Sequence, residues 1–194
     1  MSKSDPAASK RERNKTIRWV VTIFIVTIFI SGAISLLSDV IMENSSVFVA
    51  FLILLAIILI GIFFDIIGMA VASADEKPFH SMAARKVPGA QESIALLRNA
   101  ERVSSICNDV VGDICGVVSG SASATIAVQI ISNFDFSWPQ IVSLAMSALA
   151  AGLTVGGKAI GKSFAVNSST AIVHSVGKCI HWLHSLTKPK KKTK

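Results

Sequence analysis

The residues with the clearest chemical potential are two acids in a stretch that is otherwise apolar. Residues 103–131 carry only two charged side chains, Asp109 and Asp113, and the stretch is long enough to cross a bilayer. A carboxylate inside a membrane is costly and usually belongs to an ion pathway, a binding site or a polar partner. The four-residue spacing places both acids on one face of a helix. We therefore expect other membrane helices to pack around this one and to enclose a cation.

A third carboxylate, Asp65, lies in a second apolar stretch, residues 47–74. Mg²⁺ prefers six oxygen ligands in near-octahedral geometry, so carboxylates from two adjacent helices could hold it. The same groups could also serve Na⁺ or a proton. The predicted metal site combines Asp65 and Asp113 with oxygens from Asp109, Ser73 and Ser119.

Two lysines support a different interpretation of the same region. Lys158 and Lys162 lie one helical turn apart in a third apolar segment. As counter-charges they could neutralise Asp65 or Asp113 and leave a structural contact without an ion. A lysine close to the carboxylates would also repel Mg²⁺ by several kcal/mol at intermediate dielectric. Sequence alone leaves both interpretations open.

The composition indicates a membrane protein. Of 194 residues, 52% are hydrophobic and 16% are charged, and the mean hydropathy is +0.61. Soluble domains have about a quarter of their residues charged. We expect no enzyme, because the sequence contains no nucleophile–base pair and no catalytic metal motif. No organic cofactor is expected either.

The apolar segments predict an all-α protein with four transmembrane helices and two shorter amphipathic helices beside them. A basic tail at 1–16 precedes the first, extra span, and a second basic tail occupies 187–194. Gly61 and Gly68 flank Asp65 and favour a local break in the second span. The predicted spans are 17–38, 47–74, 103–131 and 141–163, and the predicted amphipathic helices are 79–100 and 168–186.

The distribution of basic residues predicts the topology. The two tails and the segment between the second and third spans are rich in Lys and Arg, whereas the loops at 39–46 and 133–139 contain none. The positive-inside rule then places both termini in the cytoplasm of a multi-pass cell-membrane protein. We expect the tails to contact anionic lipid headgroups rather than nucleic acid, because they lie beside apolar spans.

Four short motifs occur in an order that resembles a known family. They are FFDIIGMAVAS at 63–73, GAQESIALLRNAERV at 89–103, the pair Gly112-Asp113, and VGGKAIGKSFA at 155–165. Residues 47–186 in this respect resemble the transmembrane domain of the cyclin M (CNNM)/CorC family of magnesium-transport proteins. The resemblance implies three membrane helices with a cytoplasmic belt of juxtamembrane helices, and an ion site of hydroxyl, amide and carboxylate oxygens between them.

The resemblance is weakest at the ion-site positions. Asp65 stands where the family usually has serine, Gly68 where it has a glutamate, Asp113 where it has asparagine, and Gly157 where it has a second glutamate. The nucleotide-binding CBS pair of longer members has no counterpart in this sequence. Two functions remain in view: a minimal divalent-cation transporter, or a non-transporting membrane subunit or regulator that retains the fold. In either case we expect a homodimer formed through small-residue helices. The alternatives also allow binding of a further soluble or membrane protein.

Overall fold

The computed structural model describes residues 6–43, 45–134 and 138–187, with side chains at 17–42, 45–133 and 138–186. Within these ranges the chain is helical, and no strand is present. Eight α-helices and one π-helical segment follow one another along the described chain. They are α1 (Pro6–Glu43), α2 (Val47–Ser73), α3 (Lys77–Ala84), α4 (Ala90–Arg98), α5 (Ala100–Ser105), the π segment (Ile106–Gly112), α6 (Asp113–Phe134), α7 (Pro139–Asn167) and α8 (Ser169–Thr187).

Four of these helices are long and apolar enough to cross a membrane, as the sequence predicts. They are α1, α2, α7, and the continuous helix formed by α5, the π segment and α6. The predicted all-α class with four candidate spans is therefore confirmed. The side of the membrane on which each terminus lies stays a prediction, and most of the predicted 187–194 tail lies outside the described residues.

Helix α1 is longer than the predicted span at both ends. It begins at Pro6, inside the stretch predicted as a basic tail, and it ends at Glu43, inside the stretch predicted as a loop. Proline is favoured in the first turn of a helix, and the Ala, Lys, Arg and Glu residues that follow are good helix formers. Asp39 consequently belongs to a helix that is long and apolar enough to span a membrane, rather than to a connecting loop.

Helices α1 and α6 run side by side in the same direction. On α5, which leads into α6 through the π segment, the Arg102 guanidinium lies 5.8 Å from the centre of the Trp19 ring of α1. Near their ends, Gln129 Nε2 donates a hydrogen bond of 2.6 Å to the carbonyl of Met42. With α2 and α7 running the opposite way, the start of α1, helices α3 and α4, and helix α8 lie at one end of the bundle.

Helix α2 is the centre of the bundle and has no break. The predicted interruption around Asp65 is wrong, because α2 continues from Val47 to Ser73. Its glycines instead permit close packing: a Cβ at Gly61 would lie 2.8 Å from Cys115 Cβ. On the facing helix α7, a Cβ at Gly161 would lie 2.8 Å from Ile66 Cγ1. The small-residue pattern of α7 thus packs within the chain, as membrane helices commonly do.

The predicted amphipathic helix 79–100 is two helices, α3 and α4, with a turn between them. Lys86 and Gly89 both have positive φ, 57° and 85°, and Pro88 lies between them. A proline and two left-handed residues cannot continue an α-helix. Helix α8 packs across α4 at this turn, where the buried Ser93 hydroxyl donates to the carbonyl of Val173 at 3.2 Å.

A side-chain hydrogen bond joins the outer part of the same contact between α8 and α4. Nδ1 of His181 on α8 lies 2.7 Å from Oε1 of Glu92 on α4. The hydrogen bond to His181 lowers the pKa of Glu92, and this effect exceeds the opposing effect of burial. The packing of α8 against α4 and the contact between His181 and Glu92 both attach α8 to the end of the helical bundle.

Candidate functional site

Asp65, Asp113 and Lys158 come from three different candidate spans and lie at nearly the same height in the bundle. Along its helix, Asp65 is about 27 Å from Val47, and Lys158 is about 29 Å from the first residue of α7. Asp113 is about 30 Å from Asn133 by the same measure. If these helices span a hydrocarbon core about 30 Å thick, this spacing is expected to set the charges close to one of its boundaries.

Asp65 faces Lys158 at the centre of this level. The Lys158 ammonium lies 3.7 Å from Oδ1 of Asp65, and the two side chains are 26% and 17% exposed. A Cβ at Gly112 would lie 3.4 Å from the Lys158 nitrogen and 3.6 Å from the same aspartate oxygen. The π segment therefore presents Gly112 to the pair, and because glycine has no side chain there is room for the lysine.

Asp113 follows Gly112 directly but points elsewhere. Consecutive helical residues project about 100° apart, and the Asp113 side chain is exposed on the outside of the bundle. Within the described part of the chain, its carboxylate has no hydrogen bond or ion pair. Asp109 is also exposed, and its Oδ2 accepts a hydrogen bond of 2.8 Å from Ser105 on the same helix. The two acids share an outer face, and neither lies beside Asp65 in an oxygen cluster.

The remaining predicted site residues lie apart from the Asp65–Lys158 pair. Ser73 is exposed at the end of α2, and Lys162 is exposed on α7. Ser119 is buried, but its hydroxyl donates 2.9 Å to the carbonyl of Gly116 in its own helix. Among the described residues, no group of three or more His, Cys, Asp or Glu side chains is placed to hold a metal ion.

The π segment brings an amide into close contact with α2. Asn108 packs on the backbone of Gly68, where any side chain would collide with the amide group. Nδ2 of Asn108 donates 3.3 Å to the hydroxyl of Ser104, while its buried Oδ1 has no hydrogen-bond partner among the described residues. π-Helical segments are rare and occur frequently at functional sites. The glutamate that the family resemblance expects at position 68 would not fit here.

A second polar cluster, absent from the sequence predictions, lies between α1 and α6. Oδ1 of Asp39 accepts hydrogen bonds of 3.4 Å from the hydroxyls of both Ser121 and Thr125. The Ser35 hydroxyl lies 3.5 Å from that of Ser121. The signal available in the sequence was the spacing: residues 35 and 39, and residues 121 and 125, each form an i,i+4 pair within an apolar span.

Comparison with known proteins adds no relative to this description. No family model matches the chain, and neither curated proteins nor solved structures match it. The resemblance to the CNNM/CorC transmembrane domain stays a hypothesis based on the four motifs.

Proposed function

We propose that this chain is a non-transporting membrane subunit that assembles with a second copy of itself within the bilayer. The observation that carries the proposal is the Asp65–Lys158 pair. The lysine ammonium occupies the position beside Asp65 where a transported divalent cation would have to lie. At the distances within this site, a fixed positive charge would oppose Mg²⁺ by several kcal/mol.

The distribution of the other carboxylates supports the same conclusion. Mg²⁺ requires oxygens at about 2.0–2.1 Å in octahedral order, so its carboxylate ligands must converge. Asp109 and Asp113 instead point outward, and Asp65 faces a glycine and a lysine. No rearrangement of single side chains would bring these three carboxylates around one ion, because Asp113 lies on a different face from Gly112.

The outer face of α6 supports the assembly part of the proposal. This face consists of Asp113, Gly116 and Gly120, and Asp109 of the preceding π segment continues it. A Cβ at either glycine would meet no other atom within 4 Å, so neither glycine is used for packing within the chain. Between this face and α7 lies a cleft of about 200 Å³ lined with small residues. Small residues let a second helix approach closely, and an unpaired carboxylate near hydrocarbon favours a protein partner over lipid.

Charge complementarity makes a second copy the partner of choice. Lys162 is exposed on α7, and α7 packs beside α6 at nearly the level of Asp113. No ion pair of Lys162 occurs within the described part of the chain. In a two-fold dimer the same surface patch is used by both subunits, so Asp113 of each copy can meet Lys162 of the other. Each dimer would then contain this contact twice.

The test is ion flux and binding with purified protein in liposomes. We expect no Mg²⁺, Mn²⁺ or Na⁺ flux above that of protein-free liposomes, and no Mg²⁺ binding by calorimetry. Flux in the wild type that disappears in Asp113→Asn or Asp65→Asn would contradict the proposal and support transport. Lys158→Ala provides the matched comparison, because it removes the ammonium while keeping all three carboxylates. Since these carboxylates do not converge, we expect no Mg²⁺ flux in this variant either, and flux there would contradict the argument from their positions.

A further inference from the structure

One half-buried acid, Asp39, lies between two candidate spans and contacts hydroxyl groups. It lies one helical turn before Glu43, the last residue of α1, within the candidate span Ile17–Met42, and its partners Ser121 and Thr125 belong to the third candidate span. Among the described residues, Asp39 has no lysine, arginine or histidine within ion-pair distance. An intramembrane carboxylate without a cationic partner is expected to have a function.

The oxygens around Asp39 are spaced more widely than hydrogen-bonded hydroxyls usually are. The separations from Ser35 Oγ to Ser121 Oγ and from Asp39 Oδ1 to Ser121 Oγ and Thr125 Oγ1 are 3.5, 3.4 and 3.4 Å. Hydroxyl–carboxylate hydrogen bonds are commonly about 2.5–2.7 Å long. Oxygens at right angles around a cation, with bonds of about 2.4 Å, lie about 3.4 Å apart. At this spacing the same oxygens could be shared ligands of one ion of that size.

A further buried oxygen lies on the same face of α6. Gln129 follows Thr125 by one helical turn, and its Oε1 is buried with no hydrogen-bond partner among the described residues. Its Nε2 is occupied, because it donates to the carbonyl of Met42 on α1. An amide oxygen without a donor is a ready ligand for a cation. The seam between α1 and α6 therefore combines one carboxylate with several neutral oxygens.

We infer that Asp39, Ser35, Ser121 and Thr125 bind a monovalent cation of sodium's size between α1 and α6. One carboxylate neutralises one positive charge, whereas a divalent ion would retain a net charge in a medium of low dielectric. Mg²⁺ would also require oxygens about 3.0 Å apart, given its shorter bonds. Bound in this position, the ion links the first helix to the rest of the bundle. It is a binding site, and its existence does not depend on the proposed absence of transport.

The test is the thermal stability of the full-length protein in detergent, followed by tryptophan fluorescence. Measurements in NaCl and in choline chloride at equal ionic strength and pH isolate the specific effect of Na⁺. A ligand that binds only the folded state raises Tm with its concentration. We expect NaCl to raise Tm, KCl to raise it less, and equilibrium dialysis with radioactive Na⁺ to give one ion per chain.

Two variants and one control identify the site. We expect Asp39→Asn to abolish the Na⁺ effect, and Thr125→Ala to weaken the apparent Na⁺ affinity about tenfold while the fold persists. Asp109→Asn is the matched control, since that carboxylate also accepts a serine hydroxyl but within one helix; its Na⁺ response should equal that of the wild type. Equal Tm values in NaCl and choline chloride would overturn the inference. A rise in Tm with NaCl that persists in Asp39→Asn would also overturn it. A wild-type Tm that changes with pH but not with Na⁺ would overturn it as well.

Discussion

The Lys158 ammonium on α7 lies 3.7 Å from the Asp65 carboxylate on α2, and Gly112 leaves the room for it. Both side chains are mostly buried, so each charge depends on the other for compensation. Removing one partner of a buried pair is more damaging than removing both, because the survivor is left uncompensated. This contact therefore has a distinct mutational signature.

Lys158→Met should lower the free energy of unfolding by about 1–3 kcal/mol, less than a fully buried pair would lose because some solvent reaches the site. The double variant Asp65→Asn with Lys158→Met should recover most of that loss. Thermal unfolding in detergent measures both. Lys77→Met is the control, since its side chain is exposed on α3 outside the proposed interface and its removal should change stability by less than about 0.5 kcal/mol. Equal losses in the single and double variants would contradict the pairing.

Gly61→Ala should destabilise the bundle by about 1–3 kcal/mol. The added Cβ would lie 2.8 Å from Cys115 Cβ, an atom that cannot move away without its backbone. Gly156→Ala is the matched control, because a Cβ there would meet nothing within 4 Å and alanine is the better helix former. Thermal unfolding of the two variants should show a clear drop for the first and no loss for the second. A loss of equal size in both variants would contradict the prediction that the contact between Gly61 and Cys115 causes the destabilisation.

Glu92→Gln should change how stability depends on pH. The folded state lowers the pKa of Glu92 below its usual value of 4.5, chiefly through His181. A carboxyl with a lowered pKa stabilises the fold above the unfolded pKa and loses that contribution as the pH falls through the folded pKa. Wild type should thus exceed Glu92→Gln in Tm above the unfolded pKa of 4.5, and the two curves should converge as the pH falls through the lowered pKa of the folded state. Glu101→Gln, which alters an exposed side chain, should run parallel to wild type throughout.

Asp113→Lys should weaken the proposed dimer, because it sets two lysines against each other across the interface. The combined variant Asp113→Lys with Lys162→Asp should restore it, since the charges are exchanged rather than removed. Light scattering of the detergent-solubilised protein measures the mass, and disulfide cross-linking through a cysteine at Gly120 reports proximity. Two monomeric variants beside a dimeric wild type would contradict the specific pairing. A monomeric wild type would contradict the dimer itself.

The sequence predicted the four spans well, since length and uninterrupted apolarity are sufficient signals for a membrane helix. It predicted the charged positions but not their directions. Gly112 and Asp113 are neighbours in the chain, but successive helical residues point about 100° apart. Gly112 therefore faces Asp65, whereas the Asp113 side chain faces the outer surface. The phase of a helix is set by packing, which in this bundle depends on close contacts such as Gly61 with Cys115 and Gly68 with Asn108.

Asp39 shows the same division most clearly. It directly follows Ser38 and is the first residue of the predicted loop 39–46, so it has the local features of a helix end in water. Only the parallel packing of α1 on α6 places it against Ser121 and Thr125, more than eighty positions away. The sequence by itself determined which segments are apolar enough to enter a membrane, because that property is local and additive. The tertiary structure decided which acids meet a lysine, a hydroxyl or the outer surface, because those contacts depend on how far each helix extends and how it is rotated.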